Sequence, residues 1–371
     1  MLVKNLNQYS DSILEFLESL KKQDSKYSYS ISSSENLTST GAKLELGFSC
    51  YALKLRHMFN DQSLDDNNIF EWFNYISSFQ KNIQGFPSNS FVDDSFLLEH
   101  KKFNAEKSIK NFAKTILNKT KGTNYLLSNE ILSTSIVAET KQAISTLSEI
   151  GYKNKSKYSE FPKDKKDIFA YLNNFDWNNP WSAGAQFSSL CLFAKTQISD
   201  NSKTIDYLNE FIKTKLDTNS GFYFTGEKVP ENVLINGAMK VITGLDWIES
   251  EIHYPKKIID YILNIEVSSE ACDLVDLVYC LYMCSELTNY RKLDIANFLY
   301  TVEDSIFKNY KPSEGGFSYS QNKSQKYYYG LIVTKEMNFA DLHGTLLLSW
   351  AYTLILDMLE KNEHHWKIIK P

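Results

Sequence analysis

The sequence predicts an all-α protein, and three observations carry that prediction. Apolar residues recur at spacings of three and four in segment after segment along nearly the whole chain. No segment shows the sustained apolar–polar alternation that a half-buried strand requires. One unit also recurs: a helical segment, a short loop in which glycine precedes an aromatic residue, and a second helix that opens with small residues.

In chain order, Tyr9 to Leu20 comes first, with Ile13, Leu14, Phe16, Leu17 and Leu20 forming its apolar stripe. The same periodicity predicts helices over Lys43–Phe59, Ile69–Ile83, Ala105–Leu117, Ile131–Ile150, Lys165–Leu172 and Ser182–Lys195. It continues through Thr204–Leu216, Val233–Ile248, Lys256–Ile265, Asp273–Leu287, Leu293–Asn309 and Leu342–Leu359. Between them lie Gln84-Gly85-Phe86, Ser220-Gly221-Phe222 and Gly315-Gly316-Phe317. Glycine suits a helix end that needs positive φ, and the following aromatic can pack back onto the helix pair. Short extended pieces are expected at Tyr27–Ser30, Gly221–Phe224 and Gly316–Tyr319. No linker rich in proline, glycine and serine divides the chain, so residues 1–371 read as one domain. Its least ordered stretches are expected at Ser32–Ser39 and Lys153–Ser159.

Composition narrows the function classes. Hydrophobic residues at 43% and charged residues at 23% are ordinary globular usage, enough for one large helical core. A net charge of −5 leaves no basic footprint for nucleic acid. The 23 Phe and 23 Tyr suggest thick aromatic packing or a lined cavity. Five scattered cysteines (Cys50, Cys191, Cys272, Cys280, Cys284) form no CxxC pair, and no signal peptide is evident. No apolar run reaches membrane-spanning length, so the expectation is a soluble, cytoplasmic chain without membrane insertion.

The pattern Phe73-x5-Phe79-Gln80-x4-Gly85-Phe86, echoed by Asn309-x5-Gly315-Gly316-Phe317, resembles the repeat of squalene cyclases and prenyltransferases. The resemblance implies an α/α toroid, a barrel of helical hairpins with inner and outer helix rings around a central cavity. Residues 315–344, with Tyr327-Tyr328-Tyr329-Gly330 and Asp341-Leu342-His343-Gly344, are also similar to uncharacterised bacterial members of this superfamily.

Four helix starts are expected to face that cavity: Trp181–Gln186, Asn236–Lys240, Glu270–Cys280 and Asp341–Thr345. Free N–H groups at a helix start favour an anionic group, and small residues there allow close approach of a ligand or of another helix. Asp273 and Asp276, one turn apart, are the candidate acid–base pair; the alternative is two N-terminal caps. His343 is the candidate base, and Asp341, two residues before it, is a further catalytic candidate. Trp181, Gln186, Asn236, Tyr328 and Tyr329 are the candidate substrate-binding residues. The resemblance to protein prenyltransferases implies an alternative in which Cys272, Asp273 or Asp276, and His343 hold zinc. Asp65-Asp66 and Asp93-Asp94 read as solvated loop acids, and His364-His365 as an exposed tail. The expected function is an enzyme without a cofactor, acting on a small polar or anionic substrate of sugar or isoprenoid type. Lyase, cyclase, epimerase and hydrolase chemistry are all open. A zinc-dependent transferase and a non-catalytic binding or scaffold protein are the alternatives.

Overall fold

Helices of two kinds, told apart by how many faces they bury, build the chain. The computed structural model describes residues 6–102 and 128–371. Thirteen α-helices lie among these: α1 (Leu6–Ser19), α2 (Leu46–Met58), α3 (Asp66–Ser77), α4 (Asp94–Lys101), α5 (Ser128–Glu149), α6 (Lys165–Asn173) and α7 (Pro180–Gln197). They continue with α8 (Ser202–Lys213), α9 (Glu231–Trp247), α10 (Pro255–Ile262), α11 (Ala271–Ser285), α12 (Lys292–Phe307) and α13 (Leu342–Met358).

Helices α1 and α8 each bury one stripe at positions i, i+4, i+7 and i+8: Tyr9, Ile13, Phe16 and Leu17 in one, Thr204, Leu208, Phe211 and Ile212 in the other. By contrast α2 buries twelve of its thirteen residues, and α7, α9, α11 and α13 bury most of theirs. A helix that is apolar all round must be enclosed by neighbours. The contacts supply that enclosure. Helix α2 packs on α5, α5 on α7, α7 on α9, α9 on α11, α11 on α13, and α13 again on α2. The stripe-bearing helices lie against this cycle: α1 on α2, α3 on α2 and α5, α8 on α7, and α10 on α11.

Close approach within the cycle has a specific cause. A Cβ on Gly237 would come 2.7 Å from the Pro180 ring, and one on Gly184 would come 2.9 Å from the Gly237 carbonyl oxygen. These small residues at helix starts therefore serve the packing of α7 on α9. Gly85, Gly221 and Gly315 have φ of +89°, +84° and +80°, the left-handed conformation expected after α3, α8 and α12. Phe222 and Phe317, which follow, are fully buried.

The strands are short antiparallel ladders: β1 (Gln80–Lys81) with β2 (Ser90–Phe91), β3 (Tyr310–Lys311) with β4 (Gly316–Phe317), and β5 (Tyr327–Tyr328) with β6 (Leu331–Ile332). Two residues per strand give no alternation for a sequence to display. Helix α4 is an addition to the expected set, while the helix predicted over Ala105–Leu117 lies outside the described residues.

Three expectations are corrected. Asp93 is buried: its Oδ1 caps α4 at Ser95 N–H (2.8 Å), and its Oδ2 accepts from Glu45 N–H (2.7 Å) at the start of α2. The 32–39 loop is tied down through fully buried Asn36, whose amide donates to Ser32 Oγ (2.9 Å) and Ser324 Oγ (2.8 Å). The residues after His364-His365 are no loose tail, because Trp366 is buried against Tyr9 and Phe59. Beyond it, Lys367 N–H bonds to Met58 O (2.8 Å), Lys370 N–H to Glu149 (3.1 Å) and Trp247 Nε1–H to Pro371 O (3.1 Å). The C-terminal ends of α2, α5 and α9 thus converge on residues 366–371. Among the described residues no helix is long and apolar enough to cross a membrane.

Candidate functional site

The first turns of α7, α11 and α13 carry Trp181, Cys272 and His343 to a cavity of about 420 Å³. Helix α2 adds Tyr51 and Lys54, α5 adds Lys141, and α9 adds Lys240, so all six helices of the cycle line it. Residues 319–329 form part of its wall, and Ile369 and Pro371 lie at its far end.

Asp276 lines this cavity, is 1% exposed, and neither of its carboxylate oxygens has a hydrogen-bond partner. Its nearest counter-charge is Lys240 Nζ, 3.7 Å from Oδ1. Burial pushes its pKa up to about 7; Lys240 opposes the rise, and the charge of Asp273 adds to it. An unpartnered buried carboxyl is costly to keep, which marks it as a group held for a purpose.

His343 lines the same cavity, so its ring is only half-buried. It lies flat between two tyrosines, 4.8 Å from the Tyr51 ring at 9° and 5.8 Å from the Tyr319 ring at 23°. Its Nδ1 has no partner. Burial, with the positive charge of Lys240 second, pushes its pKa down to about 3, leaving a neutral imidazole at physiological pH. Cys272 lines the same cavity, and burial holds its thiol at about 12. Cys272 is therefore a protonated thiol, not a nucleophilic thiolate.

The acid pair proposed from spacing is split. Asp273 accepts from the Asn236 amide at 3.0 Å, and both face a separate pocket of about 270 Å³ between α9 and α11. Of the helix start at Asn236, it is Met239 and Lys240 that reach the central cavity. Asp341 is fully buried and does not line the cavity. Its Oδ1 caps α13 at Gly344 N–H (2.8 Å), while Oδ2 accepts from Tyr319 N–H (2.8 Å) and Gln325 N–H (3.0 Å). Asp341 thus positions Tyr319 and Gln325, both of which face the cavity.

Of the remaining nominated residues, Trp181 is 40% exposed at the cavity edge, while Gln186 is buried and accepts from the Tyr171 hydroxyl at 2.6 Å. Tyr328 donates to Glu139 Oε1 at 2.9 Å, and burial pushes that carboxyl up to about 8. Tyr329 forms the β5–β6 turn with φ of +42°, a conformation bulky residues rarely adopt, and its ring lines the cavity. Of the residues the resemblance implies as zinc ligands, Cys272, Asp276 and His343 line the central cavity, while Asp273 lines the other pocket. Among the described residues no group of three or more His, Cys, Asp or Glu is placed to hold a metal ion.

Spacing and helix-start reasoning missed Tyr51, Lys54, Lys141 and Lys240. A signal was present for Lys54 and Lys240, each inside a helix that buries most of its residues, where an ammonium must find water or a partner. A larger open groove of about 840 Å³ lies outside, lined by Lys153, Lys155, Lys157 and Lys195. It contains none of the buried carboxyl or imidazole groups, so the enclosed cavity is the better candidate. No protein-family model matches the chain, and neither does any curated protein or solved structure.

Proposed function

We propose that the chain is an α/α toroid enzyme whose central cavity performs acid–base chemistry on a small anionic substrate of sugar or isoprenoid type. The closed cycle of six enclosed helices, with stripe-bearing helices against it, supports the toroid. The observation that carries the function is Asp276, a buried carboxyl with no hydrogen bond, facing a cavity that also holds an imidazole with a free Nδ1.

In this reading Asp276, protonated near neutrality, is the proton donor, and neutral His343 is the acceptor through Nδ1. Lys240 draws in the anionic group. Lyase, cyclase, epimerase and hydrolase reactions all use such a pair. The test is a thermal-shift panel of uronates, sugar phosphates and isoprenoid diphosphates, with neutral sugars and isoprenoid alcohols beside them, on the wild type, Asp276→Asn and Lys240→Gln. The reading requires stabilisation by an anionic member that Lys240→Gln abolishes, and turnover of that compound that Asp276→Asn abolishes. Stabilisation by neutral compounds alone would overturn it; no ligand at all would favour the scaffold reading. A zinc-dependent transferase is the second reading: Cys272, Asp276 and His343 line one cavity, although as they stand they are not placed to hold a metal ion. It requires about one zinc per chain, lost in Cys272→Ala and His343→Ala.

A further inference from the structure

Three lysines line the central cavity, and they differ in what holds them. Lys54 Nζ donates to Ser145 Oγ (3.1 Å) and to the Lys370 carbonyl (2.7 Å). Lys240 Nζ faces Asp276 at 3.7 Å. Lys141 has neither a hydrogen-bond nor an ion-pair partner among the described residues. With no partner among the described residues and two other cations lining the same cavity, the part-buried ammonium of Lys141 is poorly placed to stay charged. Burial first, then the charges of Lys240 and Lys54, push Lys141 down to about 7. Desolvation and a neighbouring cation are the two devices that turn a lysine into a nucleophilic amine.

We propose that Lys141 forms an imine with the aldehyde or ketone carbonyl of a small anionic substrate held in this cavity. The inference rests on the reading of the cavity as an anion-binding acid–base site and adds a substrate class, carbonyl compounds bearing a carboxylate or phosphate. The Lys141 Nζ lone pair forms the N–C bond as the carbonyl π pair moves to oxygen. Both amine protons leave with that oxygen as one water, relayed by Asp276, and a C=N bond remains. Lys240 holds the anionic group, and no oxidant or further reactant is needed.

At pH 7 an amine at about 7 has roughly a thousandfold the free-amine fraction of an ordinary lysine. The test incubates the full chain with pyruvate near neutral pH, reduces with sodium borohydride, and maps adducts by peptide mass spectrometry. The expected result is a reduced adduct on Lys141 formed about tenfold or more faster than on exposed lysines such as Lys203 and Lys228, a margin that allows for the weaker intrinsic nucleophilicity of a low-pKa amine. Lys141→Gln, with an unchanged circular dichroism spectrum, loses that adduct. Adducts spread over surface lysines with Lys141 unmodified would overturn the proposal. If anions still stabilise the protein through Lys240 in that case, only the imine step falls. If no anion binds, the reading of the cavity falls with it.

Discussion

Replacing Asp276 with asparagine is expected to stabilise the protein above neutral pH while removing its activity. In the unfolded chain an aspartate titrates near 4, whereas burial holds Asp276 at about 7. Below about pH 4 both states carry the proton and the residue has no effect on stability. Between about pH 4 and 7 the unfolded chain ionises first, so folding loses free energy as pH rises. Above 7 the loss levels off at about 4 kcal/mol, the equivalent of three pKa units. Asparagine has nearly the shape of the neutral acid and cannot ionise, so it removes this penalty. The attraction of Lys240, 3.7 Å away with its side chain 24% exposed, opposes the rise and is already contained in the value of about 7. The net expectation is a gain of about 4 kcal/mol near pH 8 that vanishes near pH 4. Urea unfolding of both proteins across this range measures it. A gain independent of pH, or a variant less stable at pH 8, would refute the placement of Asp276 as a buried carboxyl without hydrogen bonds.

Other substitutions separate support from chemistry. His343→Phe keeps an aromatic plate between Tyr51 and Tyr319, so unfolding should shift by no more than about 1 kcal/mol while turnover is lost. Because His343 sits at about 3, the wild type loses stability as pH falls below the ordinary histidine value near 6.5, and the variant's acid unfolding should be correspondingly flatter. Asp341→Ala strands the buried N–H groups of Gly344, Tyr319 and Gln325, and should cost about 3–5 kcal/mol in chemical unfolding. Gly47→Ala places a methyl group where the Tyr328 hydroxyl sits, breaking its bond to Glu139, and should lower the melting temperature more than Gly85→Ala, where nothing lies nearby and the cost is the strain of φ +89° alone.

Helix existence was legible in the sequence because it is written in local periodicity. The stripe of α1 and the all-round apolar character of α13 could be read from their residues alone, and so could the left-handed glycines at Gly85, Gly221 and Gly315. Cap chemistry was read only in part. Asp341 was taken for a catalytic candidate, yet its two oxygens serve Gly344, Tyr319 and Gln325, two of which lie far from its helix in sequence. Spacing placed Asp273 and Asp276 together, but residues three apart diverge by about 60° around a helix, enough to send one to each side of α11. Lys141, Lys240 and Tyr51 were passed over because their roles arise from the closure of six helices, and no local pattern encodes that closure.

The central claim, that the enclosed cavity binds an anionic substrate beside Asp276, is tested most directly by a crystal structure of the protein with its most stabilising anion. The account predicts the anionic group against Lys240 Nζ, with the rest of the ligand between Asp276 and His343. A ligand held only in the outer groove at Lys153, Lys155 and Lys157, with the cavity unoccupied, would contradict it.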